Sequence, residues 1–72
     1  MAEEKVTAPL SGTVLSVKKK AGDSVNLGDI VLIIDAMKME NEILAPRKGI
    51  IKGVHVSVGE TVKYNQVIYV IE

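Results

Sequence analysis

Lys38 stands between two methionines, in Ala36-Met37-Lys38-Met39, and is the side chain whose type and setting point to covalent chemistry. A lysine amine is a nucleophile only in its unprotonated form, which is scarce at neutral pH, so acylation needs an acyl donor activated elsewhere. No competing chemistry presents itself. His55 is the lone histidine, it has no second ligand nearby, and no serine or cysteine nucleophile is partnered to it. There is no cysteine, and no spacing resembles a zinc or iron site. The sequence therefore implies a display site, with no catalytic residue and no metal.

The elements that must position Lys38 come as two copies of one unit. Residues 6–35 lie over residues 43–72 without a gap, at a constant offset of 37. Ala8-Pro9 falls on Ala45-Pro46, Gly12 on Gly49, Val17 on Val54, Gly22 on Gly59 and Val25 on Val62. The run from Ile30 to Asp35 falls on the run from Val67 to Glu72. What the scaffold needs occurs twice, whereas Lys38 lies in the segment between the copies, which the scaffold alone does not explain.

Apolar residues occur in short β-branched runs bounded by Gly, Pro, Asn and Asp, with no sustained helical period. The first copy reads as strands over 13–17, 24–26 and 30–34, with turns at Ala21-Gly22-Asp23 and Leu27-Gly28-Asp29. The second repeats this over 50–54, 61–62 and 67–71, with turns at Val58-Gly59-Glu60 and Tyr64-Asn65-Gln66. Gly28 corresponds to Asn65, the two residue types that most readily accept a left-handed backbone, so a shared turn geometry is expected. Pro9 and Pro46 suit strand ends, where a missing amide hydrogen is tolerated.

With about four short strands per copy, a single four-stranded sheet leaves an apolar face wet, and two such sheets bury each other's. The expected fold is all-β: a flattened antiparallel barrel or sandwich of two four-stranded sheets with pseudo-two-fold symmetry, one domain over residues 1–72. Val, Ile and Leu supply 24 residues, while Phe and Trp are absent, so an aliphatic core must hold the fold without disulfide or metal. The two-fold maps the hairpin at 36–39 onto the gap between the chain's ends. Ala2 and Glu72 are thus expected at one pole and Lys38 at the other.

Nine basic residues balance nine acidic ones, which gives no support to nucleic-acid binding or an anionic membrane surface. Met1-Ala2-Glu3-Glu4-Lys5 leads into no apolar stretch long enough for a signal or a span, so no direct membrane insertion and a cytoplasmic location are expected. Lys18-Lys19-Lys20 reads as charge protecting a sheet edge.

The strand over 30–35 must turn back into residues 39–45, yet the hairpin tip contains no Gly, Asn, Asp or Pro, unlike every other inferred turn. Breaks of a local rule concentrate at functional sites. Asp35, Glu40 and Glu42 near the tip read equally as an acidic collar for a basic partner and as solvated strand residues.

Asp35-Ala36-Met37-Lys38-Met39-Glu40, set between Ala8-Pro9-Leu10-Ser11-Gly12 and Ala45-Pro46-Arg47-Lys48-Gly49, resembles the biotinyl domain of biotin-dependent carboxylases, decarboxylases and transcarboxylases, over essentially the whole chain. That family has the barrel-sandwich hybrid fold. The resemblance implies that a biotin protein ligase joins biotin to Lys38 through an amide, reading Met37, Met39, Ala36, Asp35 and Glu40. Asp35 departs from the more usual Glu but keeps the charge. The compact turns at Gly22 and Gly28 resemble the type without a protruding thumb. By the same resemblance the domain is a non-catalytic carrier, moving a carboxyl group between biotin carboxylase or decarboxylase and carboxyltransferase sites. Two other classes share the architecture. A lipoyl carrier usually flanks its lysine with Asp and a small residue, against which Met37 and Met39 argue. An unmodified hybrid-motif interaction module has no need of the displayed Lys38.

Overall fold

β-branched runs separated by turn residues give eight strands and no helix in the computed structural model, which describes residues 3–72. They are β1 (Glu4–Thr7), β2 (Gly12–Val17), β3 (Ser24–Val25), β4 (Ile30–Ala36), β5 (Met39–Leu44), β6 (Gly49–Val54), β7 (Thr61–Val62) and β8 (Val67–Ile71). Two four-stranded antiparallel sheets form, in the orders β1-β8-β6-β3 and β5-β4-β2-β7. The copies do not each build one sheet. Each sheet takes its two central strands from one copy and its flanking strands from the other. The physical reason is reciprocity: β3 and β7 are two residues long, and each finds its partner backbone across the two-fold, on β6 and β2.

The symmetry is visible bond by bond. Ala8 N donates to Gln66 O at 2.8 Å, and at the offset Ala45 N donates to Asp29 O at 2.8 Å. Val14 N to Glu60 O is matched by Ile51 N to Asp23 O, and Lys18 N to Val31 O by His55 N to Ile68 O. His55 lies one residue beyond β6, where this single ladder bond still holds it extended. Gly28 and Asn65 have φ of 88° and 72°, the shared left-handed turn. β1 has no counterpart in the strands read from sequence, because Glu4 and Lys5 obscure the apolar signal. Its register, Glu4 against Ile71 and Val6 against Tyr69, nonetheless reproduces Asn41 against Ile34 and Ile43 against Leu32.

Between the sheets lies an aliphatic interior that includes Val14, Leu32, Ile34, Ile51, Ile68 and Ile71, with no buried charged residue among the described residues. β4 and β8 read as nearly unbroken apolar runs because each is central, paired on both edges. β5 runs from the tip to Leu44, opposite Ile30, and the chain continues to Gly49 beside the Glu72 carbonyl. The strand β5 and the bend over residues 45–48 together carry the chain along the 36 Å long axis, away from the tip. Glu72 and β1 therefore occupy the pole opposite Lys38. Ala2 lies outside the described residues. At that pole Glu4 Oε1 accepts from Arg47 Nε at 3.0 Å, and Lys52 pairs with Glu3.

Tyr69 is the large exception in the core. It is fully buried and its hydroxyl has no hydrogen-bond partner. Burial pushes its phenol up to about 12, with the Glu4 carboxylate adding to the effect. The folded state thus keeps a proton that the unfolded chain releases above the ordinary value of 10.0, so this group's contribution to stability is lost as pH rises through that window. Tyr69→Phe removes an unsatisfied polar group and is expected to raise stability by about 1 kcal/mol at neutral pH. It should also flatten the decline in urea midpoint between pH 10 and 12. A variant less stable than the parent at both pH values would contradict this.

Candidate functional site

β4 and β5 stay paired up to Ala36 against Met39, leaving Met37 and Lys38 alone to reverse the chain. Both have positive φ, 54° and 64°. A two-residue hairpin with two left-handed residues is a type I′ turn, whose twist matches that of the flanking strands. The missing turn residues are thus a real conflict: the backbone takes the conformation that Asn-Gly favours, at a cost of about 1–2 kcal/mol per non-glycine residue. Met37 is 93% exposed and Met39 67%, so neither fills the core. Lys38 is exposed and makes no hydrogen bond or ion pair with any described residue.

The strain is confined to the tip because the rungs below it are anchored. Ala36 is buried against the core, and β2, paired antiparallel with β4, lies so close at the base of the hairpin that a Cβ on Gly12 would be 2.5 Å from the Asp35 carbonyl oxygen and 2.7 Å from Ile34 Cγ2. Asn41 Nδ2 donates to Met39 O at 3.2 Å and to Ile34 O at 3.4 Å, touching both strands of the hairpin. Sequence reading missed Asn41, which looked like an ordinary polar strand position. The only available signal was that the other copy places Glu4 at this position.

Asp35 and Glu40 face each other directly, and Glu42 faces Ile33 two rungs lower. All three acids are exposed and share the outward face of the sheet, since strand side chains alternate. Like charges opposed across strands are unfavourable, so the pair is not there for stability. A shallow groove runs along the free edge of β5, lined by Pro9, Leu10, Glu40, Asn41, Glu42, Ile43 and Leu44. His55 lies just past β6 and is bonded through its amide to Ile68 O of the other sheet, not to this hairpin.

The two-fold sandwich has counterparts among known proteins. A family model described as "Biotin-requiring enzyme" matches residues 4–71. The chain belongs to this biotin/lipoyl domain family. The biotin carboxyl carrier protein of Streptococcus mutans is 47% identical over 55 residues, covering 76% of this chain and 42% of that one. Pyruvate carboxylase of Bacillus subtilis is 43% identical over 67 residues, covering 93% of this chain but 6% of that one. Thus the chain spans less than half the length of either curated relative. The solution structure of the lipoyl domain of the 2-oxoglutarate dehydrogenase complex from Azotobacter vinelandii superposes with a TM-score of 0.82 at 26% identity, covering 94% of both chains. The expected barrel-sandwich fold and the role of a non-catalytic carrier domain agree with these relatives. Among the described residues no helix is long and apolar enough to cross a membrane, and no cluster of His, Cys, Asp and Glu forms a metal site.

Gly12→Ala tests the anchoring of the tip. The new methyl must displace backbone, so a loss of about 1–3 kcal/mol is expected, with amide shifts centred on Ile34, Asp35 and Ala36. Gly49→Ala, which meets Glu72 O at 2.6 Å, should cost a similar amount while leaving the tip amides in place. Equal disturbance of the tip by both variants would contradict the assignment of Gly12 to the hairpin base.

Proposed function

We propose that this domain carries biotin on Lys38 and moves a carboxyl group between two sites of a biotin-dependent carboxylase or decarboxylase. The single observation that carries the reading is the exposed tip, where Lys38 sits between two exposed methionines in a left-handed turn that the fold strains to make. The Streptococcus mutans and Bacillus subtilis relatives, named for carboxyl carriage and carboxylation, support it.

Attachment requires little of the domain itself. A biotin protein ligase supplies a biotinyl-adenylate, the neutral Lys38 amine attacks the acyl carbon, the new C–N bond forms as the acyl–phosphate bond breaks, and AMP leaves while the amine proton passes to solvent. An uncovered tip suits this, because the ligase must enclose the amine and the adenylate together. Ala36, Met37 and Met39 shape the tip that the ligase reads, and Asp35 and Glu40 give it negative charge on one face, matched to a basic ligase surface. Attached biotin supplies a ring nitrogen that accepts a carboxyl group at one enzyme site and gives it up at another. The chain's own part is to hold that arm at one pole and leave the other free for attachment. Tethering of this kind raises local concentration to roughly millimolar.

Lys38→Arg is expected to abolish labelling on an avidin blot after incubation with ligase, ATP and biotin, with the unfolding midpoint unchanged, since arginine keeps the charge but offers no acylable amine. Labelling of the variant at the parent rate would overturn the assignment. Glu40→Lys reverses charge beside the tip and is expected to slow labelling several-fold at low salt, the difference shrinking at high salt. A salt-independent rate equal to the parent's would reduce Asp35 and Glu40 to solvated strand residues.

A further inference from the structure

We propose that Asn41 is a positioning residue: its side-chain amide holds the hairpin in the two-residue left-handed turn that presents Lys38. Three observations meet here. The turn is costly, because Met37 and Lys38 both adopt positive φ without being Gly or Asn. A hairpin with such a tip relaxes by opening its last rung, Ala36 against Met39, and spreading the reversal over a longer loop of ordinary residues. The Asn41 amide donates along β5 to the Met39 carbonyl of that rung and across to the Ile34 carbonyl of β4, which lies opposite Asn41 two rungs below, so one side chain ties the β5 end of the last rung to the facing strand.

The internal repeat separates this role from a general need of the scaffold. Gly12 recurs as Gly49 and makes the same close approach at the other pole, so it belongs to the fold. Asn41 does not recur. Its counterpart is Glu4, which pairs with Arg47, while the counterpart of Arg47 is the apolar Leu10. The sandwich thus closes one pole with an ion pair and the other with a neutral amide bonded to main chain. Asn41 is half-buried, and of its two bonds the cross-strand one to Ile34 O is partly shielded from water while the one to Met39 O is exposed. The amide acts through the backbone of the tip, and is distinct from the ligase-facing residues Asp35, Met37, Met39 and Glu40.

The ligase arm of the test rests on the function proposed above; the spectroscopic arm does not. Asn41→Leu keeps the volume and removes the donor, Asn41→Ala removes the donor without crowding, and Asn41→Gln keeps a donor. In the parent, positive φ at Met37 and Lys38 gives strong intraresidue amide–Hα nuclear Overhauser effects. These are expected to weaken in Asn41→Leu and Asn41→Ala and to recover in Asn41→Gln. With a biotin protein ligase, KM for the chain should rise roughly three- to tenfold, the weight of one partly buried neutral hydrogen bond, and kcat should stay unchanged, because only the competent fraction has fallen. A residue that merely stabilised the sandwich would shift the unfolding midpoint and move neither reading. Unchanged Overhauser effects in both donorless variants overturn the inference, as does a fall in kcat at constant KM. A parent that no biotin ligase labels would instead defeat the proposed function, and the spectra would still decide the role of Asn41.

Discussion

Backbone meets backbone at Gly12, and the rest of the site depends on that contact. With no side chain there, β2 lies against the Asp35 carbonyl and the Ala36 methyl, and β4 is gripped right up to the hairpin. The same approach recurs where Gly49 meets Glu72 O, so one device seats the Lys38 pole and the pole of the paired strand ends. A domain this small has little interior to spend on rigidity. It gains rigidity by exchanging strands between its two copies, so that each sheet is complete only when both copies are folded.

That rigidity is what a display site needs. The tip holds two non-glycine residues in the left-handed region, and such strain persists only where the surroundings over-determine it. Ala36 buried in the core, Gly12 without a side chain and Asn41 bonded to both strands provide that. Beyond Ala36 the chain is given to solvent. Two exposed methionines contribute nothing to the core, and two opposed acids raise the local negative charge at a small cost to the sheet. These are local losses of stability concentrated on four or five residues around Lys38, the pattern expected of a surface shaped for a partner.

Much of this was legible in the sequence because the chain states its scaffold twice. Glycines and prolines recurring at one offset located the turns, and Lys38 stood out as the residue the repeat did not explain. The strand exchange was not legible, since pairing of a two-residue strand such as β3 is decided by tertiary contacts and not by local pattern. β1 escaped because its outward charges hide the half-buried Val6 and Thr7. The tip conformation was visible only as a missing signal. A turn without turn residues announced a conflict, but the sign of φ at Met37 and Lys38 follows from the register of Ala36 against Met39. Asn41 was hidden for a related reason: its bonds run to main chain, which no pattern of side chains records.

The central claim is that Lys38 is the attachment point and biotin the group attached. The most direct test presents the unmodified chain to a biotin ligase and a lipoate ligase together, with ATP, biotin and lipoate, and reads intact mass followed by peptide mapping. One biotinyl increment, carried wholly by the peptide containing Lys38, is the predicted result. A lipoyl increment, a biotinyl group on another of the chain's lysines, or no increment at all would contradict it.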